Sequence, residues 1–493
     1  MSFARDLSAG CAPLKAVALR SRQILLDPVR GATTPCVVVK LRSRMPLDTN
    51  GPSPLRETLI LAVRMVYDVS QENPSAHAPA LRADVSMEET QEEGHVMCLP
   101  DTLLQRVTHL LNTVAGTPVH IVKTEPIKES WSARFGISPW PWVTRCTIKT
   151  ETGTTALPAS VIIKVRHPAG HLRSEPERFH NERMALAFFA GIAGTAGPSL
   201  LAADQEAGLL MLEDLGSGPA LEDLLVGHDA WRAEQGFIAF ATALGQMHAT
   251  TVGHAAAYYH WRSSVGPGDP SFDRISILGI DIARAFRHLQ EITASRPYLP
   301  SPAVAVENDV QALLRVLAEP GPFLAFSTGD TSPANCRLSN DGLRFLDFEY
   351  ACFRHALLDV AALRFPFPAC PCWSHVPEEI IQRAEGAYKK QMVRSCPEVF
   401  DPARYTQELT AACAAWTIVR AVRLPRLEQS DEPQPMGFSR RGQLLDTLTT
   451  TVACSQQSRS LPSLATWLAD MSQVLRTRWP PLPPAQPFYP AFC

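Results

Sequence analysis

The sequence predicts an α+β protein in two parts, a small antiparallel sheet followed by a larger, mostly helical region. Residues 117–166 contain short β-prone runs, PVHIVKT, WVTRCTIKT and ASVIIKVRH, that polar or Pro/Gly-bearing turns separate, as in an antiparallel sheet. From residue 219 onward, apolar residues recur at helical spacing. Two strand-like runs, FLAFS and LRFLDFE, interrupt this helical stretch at 323–349.

Composition and charge narrow the class of protein. A chain of 493 residues that is 45% hydrophobic has enough apolar material for large cores, so we expect a globular protein. Its formal net charge of -3 supplies no overall field that attracts nucleic acid or an anionic membrane, and we expect neither as a partner. No run approaches the roughly 18 apolar residues of a membrane-spanning helix, and the first residues lack the order of a secretory signal. The expected location is therefore cytoplasmic.

An extension, residues 1–95, precedes the predicted domain. Its first 45 residues carry eight Lys/Arg and two acids, which resembles a transit peptide, although a short basic extension or a start site assigned too early is the better interpretation. Residues 71–95 are polar with clustered acids, as in an unpacked linker, so we expect the extension to be partly disordered. At the other end, residues 481–493 form a Pro-rich tail.

The elements between these ends follow a simple order. Residues 101–114 have helical spacing and precede the three β-prone runs, and 175–190 return to helical spacing. GLLML, at 208–212, has the character of a further buried strand. We assign residues 96–213 to the small sheet-containing part and residues 214–480 to the helical part.

The interrupting strand-like segment carries the polar residues that point to chemistry. An apolar strand delivers Asp330 into a loop, Asn335 follows five residues later, and a second apolar strand delivers Asp347 twelve residues after Asn335. Asn340-Asp341-Gly342, between the two strands, has the composition of a hairpin turn. We expect these two strands to pair with each other and to fix the distances between the three side chains. Phosphoryl transfer needs such a set, with one carboxylate to orient or deprotonate a hydroxyl and oxygen ligands to hold Mg²⁺ across the phosphates. The alternative is that Asp330 and Asn335 merely form an Asx-type turn.

The pattern D-x₄-N-x₁₁-D-F-E is similar to that of the aminoglycoside phosphotransferase and choline kinase-like family, whose usual form is H-G-D-x-x-x-x-N followed by I-D-[FW]-[EG]. The resemblance implies a bilobal protein-kinase-like fold, ATP or GTP as phosphate donor with Mg²⁺, and a small-molecule hydroxyl as acceptor, such as an aminoglycoside or amino alcohol. It makes Asp330 the catalytic base and Asn335 and Asp347 the metal ligands. Glu349 is implied to help at the metal or the acceptor, and Asp359 to brace the catalytic loop.

The same resemblance implies a nucleotide site in the small part. Lys164, in the strand VIIKVRH, is implied to pair with the phosphates, and Glu182 on the following helix is its expected partner, with Glu175 and Glu177 as rivals. The run LLMLEDLG is implied to be the hinge, where Glu213 to Leu215 offer backbone groups to the base. No G-x-G-x-x-G covers the phosphates in residues 117–150, where Gly136 is the loop glycine.

One departure from the family pattern supports an alternative. Thr328 occupies the position of the family's His, which suggests a nucleotide-binding pseudokinase or scaffold with little or no transfer activity. A further alternative is an interaction protein that works through residues 1–95.

Other polar and aromatic residues of the helical part receive structural interpretations. His248 lies on an apolar helix, where a packing role is favoured over catalysis. Trp373, Trp416 and Trp467 are more often core than acceptor-pocket residues. Arg420, Arg423 and Arg426 have helical spacing, which favours a solvated basic face over an anion site.

Overall fold

The computed structural model describes most of the chain beyond residue 98 and two short segments before it. The described residues are 24–28, 37–41, 99–127, 143–150, 157–165, 175–192, 196–264, 268–365, 367, 374–431, 439–479 and 488–493. The chain divides into two compact units, Met1–His95 and Val96–Cys493. The expected disorder in most of 1–95, the loop around Gly136, Trp373 and most of the Pro-rich tail lie outside the described residues.

In the first unit, the described segments form a pair of antiparallel strands. Strand β1 (Ile24–Pro28) pairs with β2 (Val37–Leu41), with Ile24 opposite Leu41.

The second unit begins with a five-stranded antiparallel sheet. Helix α1 (Asp101–Ala115) precedes it, helix α2 (Glu175–Gly191) lies within its sequence, and the strands run in the spatial order β3-β4-β5-β7-β6. Their bounds are β3 Val119–Pro126, β4 Val143–Thr150, β5 Ser160–Val165, β6 Leu200–Asp204 and β7 Leu209–Glu213. This is the small antiparallel part that the sequence predicts.

The alternation of side chains along β5 explains why the sheet is covered on both faces. Val161 and Ile163 point to one face and join the apolar cluster of Val107 and Leu111 from α1. Ile162 points to the other face and joins the large cluster that contains α2 and the helical part. The central strand is therefore apolar almost throughout, and Lys164 near its end is an exception that needs a partner.

The rest of the unit is mostly helical, as predicted, so the α+β class and its two-part order are confirmed. The helices are α3 Leu221–Leu225, α4 Ala230–Thr251, α5 Ala255–Arg262, α6 Pro270–Arg274, α7 Ile282–Ala294, α8 Val304–Ala318, α9 Leu357–Arg364, α10 Glu378–Met392, α11 Pro402–Ala421, α12 Leu424–Gln429, α13 Arg440–Ser458 and α14 Pro462–Arg478. Several begin at side-chain caps; Asp229, for example, accepts a hydrogen bond from Arg232 N, and Asp401 accepts two from the first turn of α11. In the described part of the chain, no helix has the length and apolar composition to cross a bilayer.

Three strand pairs lie among these helices. Strand β8 (Ser276–Ile277) pairs with β9 (Ile280–Asp281), β10 (Leu324–Ser327) with β13 (Cys352–His355), and β11 (Cys336–Ser339) with β12 (Gly342–Phe345). The expectation that the strands before Asp330 and Asp347 pair with each other is wrong. Strand β11 follows the loop after β10 and pairs with β12 in a tight hairpin. Strand β10 therefore pairs with β13, which lies further along the chain.

Burial corrects the prediction of a solvated basic face for one of its three arginines, Arg420. The last three turns of α11 are buried on nearly every side, and Arg420 is only 6% exposed, whereas Arg423 and Arg426 are exposed. The helix is apolar all round in this stretch, so an arginine within it is enclosed. Trp416 and Trp467 are core residues whose indole N–H groups donate to the carbonyls of Leu358 and Pro300.

The described end of the chain also packs against the helical part. Tyr489 is fully buried, and its backbone N–H donates to His375 O over 2.9 Å.

Candidate active site

A cavity of about 180 Å³ lies between the five-stranded sheet and the β11–β12 hairpin. One end is apolar, with Val143, Ile162 and Leu212 of the sheet facing Leu346, which follows β12. The other end is polar and contains side chains that the sequence singled out, namely Lys164, Glu182, Asn335 and Asp347. The structure thus brings together residues that lie up to 183 positions apart.

Lys164 joins the sheet to the hairpin through two carboxylates. Its Nζ lies 2.7 Å from Glu182 Oε2 and 2.6 Å from Asp347 Oδ1. All three side chains are largely enclosed, with Lys164 11% and Glu182 4% exposed. Burial lowers the pKa of Lys164, but the charges of Asp347, Glu182 and Glu349 more than offset this and raise it above its usual value, so the ammonium stays charged. Glu177, one of the two rivals of Glu182, is exposed.

Asp347 has an unusual backbone that fits its position. Its φ of 61° lies in the left-handed region, where Asp and Asn are among the few residues with side chains that occur regularly. The next residue, Phe348, is fully buried and meets the ring of Phe189 on α2 at 5.4 Å between centroids. The chain therefore buries the aromatic ring while it turns the preceding carboxylate into the cavity.

Asp330 occupies the loop between β10 and β11. The side-chain nitrogen of Asn335 donates to Asp330 O over 3.4 Å, and Leu346 N donates to Asn335 O over 2.9 Å, which ties this loop to the strand before Asp347. Asp330 Oδ1 is enclosed and has no hydrogen-bond partner in the described part of the chain. Burial, followed by the negative charge of Asp347, raises the pKa of Asp330 to about 6.

The loop that carries Asp330 rests on a buried network centred on Asp359. Asp359 accepts hydrogen bonds from Ser327 Oγ (2.8 Å) and Arg354 Nη2 (2.6 Å), and its Oδ2 lies 3.1 Å from His248 Nε2. The positive charge of Arg354 and the contact with His248 hold the pKa of Asp359 well below its usual range although burial opposes this. His248 thus has the packing role expected for it, and Asp359 lies where a brace for the loop is expected.

Thr328, at the position where the sequence resemblance implies a His, does not contribute a hydrogen bond to this support. It is 1% exposed, and its hydroxyl has no partner among the described residues. Arg354 of β13 reaches the loop instead, since its Nη2 also lies 3.3 Å from Gly329 O. Arg354, which no sequence pattern singled out, therefore supports the backbone next to Asp330.

Glu349 lies at the edge of the same charged group. Burial and the charge of Asp347 raise the pKa of Glu349 to about 9. Arg178 Nη1 lies 3.6 Å from Glu349 Oε1, and Oε2 has no hydrogen-bond partner in the described part of the chain. Asn181 on α2 fixes the backbone here by donating to the carbonyls of Glu349 and Ala351.

The segment after β7 forms the rim of the cavity. The Glu213 carboxylate accepts hydrogen bonds from both Nη atoms of Arg344, at 2.8 and 2.7 Å, and from Ser199. These bonds lower the pKa of Glu213 to about 2. The backbone N–H of Glu213 donates to Ser199 O. Asp214 accepts from Arg145 Nε at 2.6 Å and from Ser160 Oγ at 2.7 Å. Leu215 lies on the cavity wall.

Several of the contacts at the cavity rim could not be recognised from the sequence. The pairs Arg145–Asp214 and Arg344–Glu213 join residues 69 and 131 positions apart, so no spacing marks them. Arg420 had a readable signal, because it is a charged residue in a helix segment, TAACAAWTIVRA, that is otherwise apolar or small on all faces.

The oxygen atoms at the polar end suit Mg²⁺ bound together with a phosphate. In the described part of the chain, no group of three or more His, Cys, Asp or Glu side chains has the arrangement of a metal site. Mg²⁺, however, is usually held by one or two protein ligands plus substrate phosphates. Asp347 and Asn335 line one cavity and supply a carboxylate and a carboxamide, which is such a donor set.

Comparison with known proteins gives structural likeness at low sequence identity. No protein-family model and no curated protein matches the chain. A macrolide 2'-phosphotransferase from Brachybacterium faecium is 15% identical, covers 67% of this chain and 94% of its own, and has a TM-score of 0.37. The gentamicin-APH(2")-IIa complex has 10% identity, coverages of 75% and 99% and a TM-score of 0.40. A choline kinase from Cryptosporidium parvum has 13% identity, coverages of 66% and 90% and a TM-score of 0.38.

Proposed function

We propose that the protein is a phosphotransferase that moves the γ-phosphate of ATP, with Mg²⁺, to a hydroxyl group of a small molecule. The observation that supports this best is the convergence of Lys164, Glu182, Asn335 and Asp347 on one cavity, with Asp330, whose Oδ1 is enclosed and has no described hydrogen-bond partner, in the loop before Asn335. A cation for phosphates, two metal ligands and a carboxylate with a raised pKa are the groups that phosphoryl transfer requires.

The cavity has an apolar end and a polar end, which suit the base and the phosphates of a nucleotide. The apolar end, between Ile162 and Leu346, would enclose the base, with backbone groups at Leu215 along its edge. The polar end would receive the phosphates, where the Lys164 ammonium, held in place by Glu182, pairs with their oxygens. Since the Glu213 N–H is already bonded to Ser199 O, the base meets backbone groups beyond Glu213.

Asn335 and Asp347 would hold Mg²⁺ through their side-chain oxygens. When bound, the ion neutralises phosphate charge and orients the γ-phosphate. Lys164 contacts Asp347 directly, so the ammonium and the proposed metal ligand act on the same phosphates.

Asp330 would act on the acceptor. Its carboxylate accepts the proton of the substrate hydroxyl as the hydroxyl oxygen bonds to the γ-phosphorus, while the bond from that phosphorus to the bridging oxygen breaks and its electron pair leaves with ADP. An enclosed Oδ1 without a hydrogen-bond partner leaves this atom available for that proton. Burial keeps Asp330 a stronger base than an exposed aspartate.

Consumption of ATP tests the proposal. The full chain is incubated with MgATP, alone and with aminoglycosides, choline, ethanolamine, sugars and homoserine, and ADP is measured. We expect ADP formation that Asp347→Ala abolishes, and a loss of about 10²–10⁴-fold in turnover for Asp330→Asn with nucleotide affinity retained. Asp341→Asn, in the exposed β11–β12 turn, is the matched control and should behave as the unmodified protein.

If the protein is instead a pseudokinase, the same assay should give the opposite result. MgATP would bind, and neither ADP nor a phosphorylated product would form with any acceptor. Equal turnover of the Asp330→Asn variant and the unmodified protein would refute the catalytic role of this carboxylate. Substitution of GTP for ATP in the same assay identifies the donor.

A further inference from the structure

The C-terminal end of α11 brings an enclosed, unpaired arginine to the neighbourhood of Asp330. Arg420 is 6% exposed, and its guanidinium makes no hydrogen bond or ion pair with any residue in the described part of the chain. One turn earlier, Trp416 Nε1 donates to Leu358 O, next to Asp359, so this face of α11 runs beside the support of the Asp330 loop. Asp330 is the described carboxylate whose negative charge acts on Arg420.

Two further arginines lie close to Arg420 and add to its positive charge. Arg423 follows at the end of α11 and is exposed, and Arg440 begins α13, where its Nη1 donates to Gln443 Oε1 over 2.8 Å. Burial and then the charges of Arg423 and Arg440 lower the pKa of Arg420 well below its usual value. An enclosed cation among like charges costs free energy, and a bound anion would offset that cost.

The position of Arg420 relative to the nucleotide cavity indicates which ligand it would meet. Lys164, Asn335 and Asp347 line that cavity, whereas Arg420 is not among its described lining residues. Arg420 interacts electrostatically with Asp330, the proposed base, which must contact the acceptor hydroxyl. Arg420 is therefore close enough to Asp330 to interact with it, and it lies outside the described lining of the nucleotide cavity.

We propose that Arg420, Arg423 and Arg440 bind an anionic group, a carboxylate or a phosphate, on the small molecule whose hydroxyl is phosphorylated. This inference rests on the proposed phosphotransferase function and narrows its acceptor. Arginine suits the role because its planar guanidinium binds carboxylate and phosphate with two hydrogen bonds. The three arginines repel the ammonium groups of aminoglycosides, choline and ethanolamine, so cationic amino alcohols are the wrong class of acceptor.

Pairs of acceptors that differ in charge test the proposal. ADP formation by the full chain at saturating MgATP is compared for glycerate, glycerol 3-phosphate, glycerol and choline. We expect kcat/KM for at least one anionic alcohol to exceed that of glycerol by tenfold or more, and choline to be the poorest. A preference for choline or for an aminoglycoside would overturn the inference while it supports the phosphotransferase function.

Variants identify the group that Arg420 binds. Arg420→Gln should raise KM for the anionic acceptor tenfold or more with KM for MgATP changed less than twofold, and Arg420→Lys should restore part of the acceptor affinity. A rise in KM for MgATP instead would show that Arg420 acts on the transferred phosphate and would overturn the proposal. Arg394→Gln, which removes one exposed positive charge elsewhere, is the matched control and should leave both constants unchanged.

Direct binding separates failure of this inference from failure of the proposed function. Calorimetry with glycerol 3-phosphate, without nucleotide, should show binding that weakens at least tenfold in Arg420→Gln. If that variant does not fold, exposed Arg423→Gln gives the same comparison, with an expected loss of at least threefold. Absence of ADP formation together with arginine-dependent binding would refute the enzyme and retain the anion site. Absence of binding would overturn the anion site.

Discussion

Lys164 Nζ donates a 2.6 Å hydrogen bond to Oδ1 of Asp347, a residue 183 positions later in the chain. This contact connects the central strand of the five-stranded sheet with the hairpin of the helical part. Glu182 shares the ammonium at 2.7 Å, so one cation satisfies two largely enclosed carboxylates. The ion pair therefore ties the two parts together at the point where the proposed phosphates bind.

Lys164→Met should remove both activity and stability. Loss of the ammonium leaves the Glu182 carboxylate enclosed without its cation, which costs about 3–5 kcal/mol of unfolding free energy, and transfer should fall by on the order of 10²-fold. Urea denaturation and ADP formation measure the two effects. The double variant Lys164→Met/Glu182→Gln should regain part of the stability but none of the activity; equal stability of the single and double variants would contradict this account.

The pH dependence of kcat/KM should follow Asp330. Its pKa of about 6 lies above the ordinary value, so the base is ionised above pH 6, and kcat/KM should fall tenfold per pH unit on the acid side. Bound Mg²⁺ favours the carboxylate and moves this limb to lower pH. A rate that stays constant from pH 8 to pH 4 would show that Asp330 is not the base.

The raised pKa of Asp330 also predicts how the stability of the fold depends on pH. In the folded protein, Asp330 holds its proton to higher pH than in the unfolded chain, so this contribution is present below about pH 4 and is lost as pH rises through about 6. Asp330→Asn should consequently be more stable than the unmodified protein at pH 8 by about 1–3 kcal/mol. Urea denaturation at pH 4 and 8, with a chelator present, measures the difference, which should shrink at pH 4.

Gly329→Ala should displace the loop that carries Asp330. Gly329 has φ +82°, and a Cβ added there would lie 2.0 Å from Tyr350 O. The backbone strain costs about 1–2 kcal/mol, and relief of the overlap adds about 1–3 kcal/mol. Gly253→Ala is the matched control, since its φ is +86° and no atom lies within 4 Å of the added Cβ. Only Gly329→Ala should also lose ADP formation, and equal costs for the two variants would refute the overlap.

Arg344→Gln should show how much the cavity rim depends on Glu213. The pKa of Glu213 is lowered to about 2, so the interaction stabilises the fold above about pH 4.5 and is lost as pH falls toward 2. Because the pair is partly exposed, we expect a loss of only about 1 kcal/mol at pH 7, which should shrink toward pH 3. Exposed Arg232→Gln serves as the control in the same urea titrations. Arg344 Nη2 also donates to Gly197 O over 2.7 Å, and a loss that is independent of pH would assign the effect to this contact.

How much of the site the sequence predicts depends on the range of its contacts. Asp330, Asn335 and Asp347 lie within 18 residues, so their spacing and the flanking apolar runs could be read directly. The pairing of the strands could not be read from the sequence, because the hairpin between β11 and β12 competes with the expected pairing. Which of the two pairings forms depends on the fold of the whole chain.

Long-range polar contacts were beyond sequence reasoning for a different reason. Arg354 and Asp359 are only five residues apart, but their joint contact with Ser327 and His248 depends on how α4, α9 and two strands pack. The helical spacing of Arg420, Arg423 and Arg426 was a misleading signal, because spacing alone does not show whether a face meets solvent. The apolar surroundings of Arg420 were the better guide.

The network around Asp359 has a consequence for how activity returns after denaturation. His248, Ser327 and Arg354 reach this carboxylate from separate segments, and Tyr388 on α10 lies 3.0 Å from the other nitrogen of His248. Contacts between distant parts of a chain form late because loop closure costs entropy. Helical circular dichroism should therefore recover before ADP formation when the protein is refolded from urea, and the loop that carries Asp330 should be among the last parts of the molecule to reach its native arrangement.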